Sequence, residues 1–176
     1  MSGRRAVFFD RDGTLIEESP YCADPGLVKI LPGVPDALRR LKEAGFLVFI
    51  ITNQSGLGRG LITETQYRAV AAETLRQAGP GAIDGVYVCP EVPEAASPRR
   101  KPAPGMVLEA AADHGIDLAR SYFIGDKADD IECGRRAGTI TIQVLTSYGA
   151  TQRCTADHVA ADVVAAVDWL LTAESG

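Results

Sequence analysis

Asp10 and Asp12 flank an arginine at the end of an apolar run, in AVFFDRDGTL, and the chain turns at once through Gly13-Thr14. Alternate side chains on extended backbone share a face, so the spacing lets both carboxylates point the same way. Carboxylates that close repel and raise one another's pKa unless a cation or a proton lies between them. Three further stretches carry groups such a pair would work with. Thr52, Asn53, Gln54 and Ser55 close a second apolar run in ITNQSG, Arg100-Lys101-Pro102 precedes a helical pattern, and GDKADD offers Asp126, Lys127 and Asp130. Carboxylates hold a hard cation such as Mg2+ through oxygen. A cation and a lysine neutralise phosphoryl oxygens while one carboxylate attacks phosphorus, which is phosphoryl transfer to an aspartate.

These residues must be brought together by the elements between them. Five apolar runs read as strands: Ala6 to Phe9, Leu47 to Thr52, Gly85 to Cys89, Tyr122 to Gly125 and Thr139 to Leu145. Their near-continuous hydrophobicity suits strands covered on both faces. Helical patterns fill the gaps. Val34, Ala37, Leu38 and Leu41 recur at helical spacing before Gly45, and Thr63 with Gln66 forms a capping box opening a helix to about Gln77. Further helices are predicted from Pro104 to His114, from a cap at Asp129 or Asp130 to Ala137, and from Asp162 to Leu171. The alternation predicts an α/β fold, three-layer and doubly wound, with a mostly parallel sheet. In such sheets the ligand site lies beyond the carboxyl ends of the strands, and all four polar stretches above sit there.

The bulk properties narrow the function classes. The chain has 176 residues, enough for one domain with a core, and residues 1–176 are read as one. A net charge of −5 argues against reading a nucleic-acid backbone, so anionic substrates need local cations or a metal. Cys22, Cys89, Cys133 and Cys154 lack CxxC spacing and read as free thiols in a reducing compartment. The N-terminal MSGRRAVFFD is too short in apolar residues for a signal-peptide core, and no window spans a membrane. A cytoplasmic protein is the expectation, and a monomer, since no apolar face is left over.

In their order along the chain, DRDGT, TNQS, RKP and GDKADD resemble the four signature motifs of the haloacid dehalogenase superfamily of phosphohydrolases. More narrowly, TNQSGLGRG and RKPAPGM are similar to the sugar-bisphosphate phosphatases of that superfamily, with the histidinol phosphatases as cousins. The resemblance implies roles. Asp10 is the nucleophile that becomes an aspartyl phosphate, and Asp12 is the acid that protonates the leaving alkoxide and then the base that activates water. Asp10 and Asp126 bind Mg2+ by side chain and Asp12 by its backbone carbonyl. Thr52 and Lys101 hold the transferring phosphoryl group, with Arg100 and Lys127 close by, and the amides of Gly13-Thr14 turn toward phosphate. Asp130 is either a helix cap or a support of the metal site.

The spacing leaves no room for a cap domain, so a capless core is expected, with substrate read by rim loops. Those are Glu18, Ser19 and Tyr21, then Asn53, Gln54, Ser55 and Arg59, then residues 90–100. The implied partner is a small phosphorylated metabolite, a sugar bisphosphate first, whose second phosphate would meet Arg59 or Arg99. Members of that group carry a zinc loop with a Cys-x-His and a Cys-x-Cys pair. Here only Cys89 remains of those ligands, and one cysteine makes no tetrahedral site, so no zinc is expected.

Two other readings fail on order. GLGRG at 56–60 lacks the final glycine of a dinucleotide loop and follows the second strand rather than the first. A receiver-type switch, which is phosphorylated without catalysing hydrolysis, needs its acceptor aspartate after the third strand, and that strand ends VYVCP. His114 and His158 have no partner pattern suggesting catalysis.

Overall fold

The computed structural model describes residues 3–176, so the first two residues of the N-terminal segment discussed above lie outside it. The chain runs β1 (Ala6–Phe9), α1 (Val34–Glu43), β2 (Leu47–Asn53), α2 (Ser55–Gly58), α3 (Glu64–Ala78) and β3 (Gly85–Cys89). It continues through α4 (Gly105–His114), β4 (Tyr122–Gly125), α5 (Ala128–Ala137), β5 (Ile140–Val144), β6 (His158–Ala160) and α6 (Val163–Glu174). Six strands form one sheet in the order β3-β2-β1-β4-β5-β6, and every adjacent pair is parallel. Among the described residues no inserted sheet or helical bundle interrupts it: between β1 and β2 lie one short 3-10 turn and α1.

Alternation along β1 decides which residue faces which layer. Val7 and Phe9 join a core with Leu38 and Leu41 of α1 and Val167 and Leu170 of α6. Ala6 and Phe8 face the other layer, with Val107 and Ala110 of α4 and Cys133 of α5. Phe8 stacks between Phe49 and Phe123, at centroid distances of 5.6 and 6.4 Å, which ties β1 to both neighbours. The chain departs from β1 to β2 on one side and later to β4 on the other. That reversal opens a crevice at the carboxyl end of β1, where the aspartates stand.

Three expectations need correction. A sixth strand, His158–Ala160, was hidden because only three residues pair, in a segment that reads as polar. The residues after Asn53 form the short helix α2 rather than a plain loop. Neither Asp129 nor Asp130 caps α5: the cap position is Lys127, and Asp130, three residues on, accepts from the Lys127 amide at 3.1 Å. Thr63 and Asp162 do cap their helices, accepting from the amides of Gln66 and Ala165.

Because Phe49 is fully buried and joins Phe8 to Tyr87 across three strands, Phe49→Ala is expected to lower unfolding free energy by about 3–5 kcal/mol. Urea unfolding checks this, and a loss under about 1 kcal/mol would mean the sheet repacks around the void.

Candidate active site

Lys101 organises the floor of the crevice. Its ammonium is almost wholly buried and donates to Asp10 Oδ1 at 2.6 Å and to the Ile51 carbonyl at 2.8 Å, with Asp130 Oδ1 also 2.8 Å away. Burial works against its charge, but Asp10 and Asp130 outweigh that and hold the ammonium above its ordinary pKa. The backbone of Lys101 is fixed by Asn53, whose amide side chain exchanges two 3.1 Å hydrogen bonds with it.

Asp126, at the end of β4, is fully buried and accepts from the Thr14 hydroxyl at 3.2 Å. Burial, followed by the charges of Asp10 and Asp130, pushes its carboxyl up to about 8. Asp130 is pushed up to about 6, again by burial first and Asp10 next. One oxygen from each of Asp10, Asp126 and Asp130 falls within 4.8 Å of the others. Both Asp130 oxygens are engaged, by Lys101 and by the Lys127 amide. Asp10 Oδ2 and Asp126 Oδ2 are buried without any hydrogen-bond partner. Two orphaned carboxylate oxygens in one buried cluster suit a hard divalent cation. Asp130 is thus not the cap residue but braces both the start of α5 and Lys101, while the free oxygens of the cluster belong to Asp10 and Asp126.

Glycine permits two close approaches. At Gly13, with φ +83°, a Cβ would lie 2.5 Å from Asp126 Oδ2, and at Gly125 one would lie 2.3 Å from the Asp130 Cβ. The DRDGT turn spends its amides differently from expectation. Gly13 N–H donates to the Ile16 carbonyl and Thr14 N–H to Arg11, so neither faces a ligand. Among the described residues the amides of Arg11 and Asp12 make no hydrogen bond and are the free donors.

The side chain of Asp12 is gripped by Arg11, whose Nε and Nη2 donate at 3.0 and 3.1 Å, and by Gln54 Nε2 at 2.9 Å. Gln54 also donates to the Thr52 hydroxyl at 2.8 Å, so the second strand end steers the second aspartate. Sequence reading gave Arg11 no role, because neighbours on a strand point to opposite faces; the turn after β1 breaks that rule.

A cavity of about 300 Å³ stands over this floor. Asp10, Asp12, Glu18, Ser19, Tyr21, Asn53, Gln54, Ser55, Arg100, Lys101 and Lys127 all line it. Thr52 and Asp126 lie buried outside its lining, and Arg59 is exposed outside it because its amide closes the last turn of α2. Arg99 turns away too, donating to Glu109 and to the Val88 carbonyl. The lining residue that sequence missed with most consequence is Tyr148, from a 3-10 turn after β5 that carries no motif.

Residues 98–170 match a family model described as HAD-hydrolase-like, where HAD abbreviates haloacid dehalogenase. The chain is 38% identical over 96% of both lengths to a D-glycero-D-manno-heptose-1,7-bisphosphate 7-phosphatase of Thermosynechococcus vestitus. The corresponding D-glycero-beta-D-manno enzyme of Yersinia pestis is 37% identical over 94% of this chain and 89% of its own. The chain belongs to the haloacid dehalogenase family of phosphatases. Another haloacid dehalogenase phosphatase, the D,D-heptose 1,7-bisphosphate phosphatase of B. bronchiseptica, superposes with TM-score 0.88 at 29% identity. The match covers 96% of this chain and 99% of that one, whose crystal held magnesium and phosphate. Among the described residues of this haloacid dehalogenase phosphatase, no helix is long and apolar enough to cross a membrane.

The raised pKa values carry a sign. Between the ordinary aspartate value of 3.8 and about 8, the folded state holds more protons at Asp126 than the unfolded state, so these groups cost the ion-free fold stability as pH rises. A divalent cation must displace that proton at low pH and meets a free carboxylate at high pH. At fixed Mg2+, the rise in Tm is therefore expected to grow from about pH 6 to about pH 8. A shift independent of pH in thermal unfolding would count against this assignment of the cluster.

Proposed function

We propose that the chain is a Mg2+-dependent D-glycero-D-manno-heptose 1,7-bisphosphate 7-phosphatase, a single capless domain working through an aspartyl-phosphate intermediate. The observation that carries the mechanism is Asp10, held by Lys101 on one oxygen and left free on the other, beside the free oxygen of Asp126. The substrate rests on the relatives named above, and the Arg100 and Lys127 cations at the cavity suit a phosphorylated sugar.

Asp10 and Asp126 would hold the magnesium by side chain and Asp12 by its carbonyl. When bound, the ion supplies positive charge that neutralises the phosphoryl oxygens. Asp10 attacks phosphorus, forming an Asp10 O–P bond as the bond from phosphorus to the C7 oxygen breaks. Asp12, aimed by Arg11 and Gln54, gives its proton to the departing alkoxide. It then takes a proton from water, whose oxygen attacks the phosphoryl phosphorus and frees Asp10 and inorganic phosphate. Lys101 steadies the Asp10 carboxylate, Lys127, Arg100 and the free amides of Arg11 and Asp12 meet the phosphoryl oxygens, and Thr52 anchors Gln54. Glu18, Ser19, Tyr21, Asn53, Gln54 and Ser55 shape the space for the sugar.

No zinc belongs to this scheme. Cys89 directs its thiol to Glu91 at 3.2 Å, and the loop that follows is braced by Arg99 against Glu109 and β3.

Asp10→Asn is expected to lower kcat at least about a thousandfold while leaving the fold intact by circular dichroism. Normal turnover in that variant would remove the mechanism. With Mg2+, kcat/KM for one heptose 1,7-bisphosphate anomer should exceed that for histidinol phosphate and sugar monophosphates about a hundredfold, or about 3 kcal/mol. Equal, slow turnover of all of them would keep the phosphatase and discard the heptose.

A further inference from the structure

The Lys101 ammonium is committed to the floor, donating to Asp10 and to the Ile51 carbonyl with Asp130 Oδ1 2.8 Å away. The other lysine in the cavity, Lys127, is differently placed. Its ammonium makes no hydrogen bond among the described residues; its nearest carboxylate is Glu18, at 3.9 Å. A lysine on a flexible four-carbon stem, a third exposed, would sample many positions unless something defined one. What defines it is an aromatic face: the ammonium sits 4.7 Å from the centre of the Tyr148 ring.

The turn that carries the ring is itself fixed. Thr146 Oγ1 donates to the Gly13 carbonyl at 2.6 Å, and a Cβ at Gly149 would lie 1.8 Å from the Val144 carbonyl oxygen, so the turn is pressed onto β5. On its far side Gln152 accepts from the Ala128 amide at 2.8 Å. Yet Tyr148 does nothing for the core. It belongs to none of the three apolar clusters, is 42% exposed, and its hydroxyl makes no hydrogen bond among the described residues.

We propose that Tyr148 is a positioning residue whose ring holds the Lys127 ammonium at the cavity, ready to meet the substrate's phosphoryl oxygens. This deepens the phosphatase reading above and rests on it. The ring acts and the hydroxyl does not, and it acts through Lys127 alone.

A double-mutant cycle tests this, read on KM and kcat for p-nitrophenyl phosphate with Mg2+ and, without turnover, on the Kd of inorganic phosphate. Tyr148→Leu is expected to weaken both KM and Kd about threefold to tenfold with kcat changed less, and to leave Tm within a few degrees. Tyr148→Phe should restore both values to within about twofold of wild type. In a Lys127→Met background, Tyr148→Leu should add nothing further. Full loss in Tyr148→Phe, an undiminished effect without Lys127, or no effect of Tyr148→Leu in the parent would each overturn the proposal. A wild-type protein that binds no phosphate and turns over no phosphomonoester would instead remove the phosphatase reading beneath it.

Discussion

Everything at the carboxyl end of the sheet depends on keeping a buried ammonium among three buried carboxylates. Lys101 neutralises one charge of Asp10, Asp126 and Asp130, and Asp126 shows in its raised pKa what remains uncompensated. Removing charged groups from water costs several kcal/mol each unless partners are supplied. The fold supplies them from separate strand ends: Asn53 of β2 for the Lys101 backbone, Thr14 after β1 for Asp126, and the first turn of α5 for Asp130. The deficit left over suits the cluster to a cation rather than to a settled salt bridge.

Around that centre the division of labour is sharp. The floor is made of side chains with almost no exposure, Asp10, Lys101, Asp126 and Asp130. The rim is made of Tyr21, Arg100, Lys127 and Tyr148, which come from loops. Buried groups keep the reacting atoms in register, whereas the rim can differ between family members that share the same chemistry.

Much of this was legible in the sequence because the motifs fall at strand ends and the strands are strongly apolar. Asp10, Asp12, Asn53, Lys101 and Lys127 converge on one cavity, as their order along a parallel sheet requires. Other parts were illegible for physical reasons. Arg11 can bend back onto its neighbour Asp12 because the chain leaves extended geometry immediately after Phe9. The amides of Gly13 and Thr14 are consumed inside the turn, which hydrogen bonding decides and residue type does not. Arg59 sits in a glycine-rich stretch that reads as a binding loop but closes a helix instead. Tyr148 lies on a turn with no periodicity or motif, visible only once the loop is seen folded over Gly13.

The position of β1 has a consequence for synthesis. Asp10 is made before its neighbours Lys101, Asp126 and Asp130, and β1 pairs with Tyr122–Gly125 as well as with Leu47–Asn53. A nascent chain on the ribosome can join the first two strands early, yet Asp10 lacks its cation until Lys101 has emerged, and the two further carboxylates arrive later still. Charge balance at the centre thus waits on contacts far apart along the growing polypeptide, later than the pairing of its first two strands.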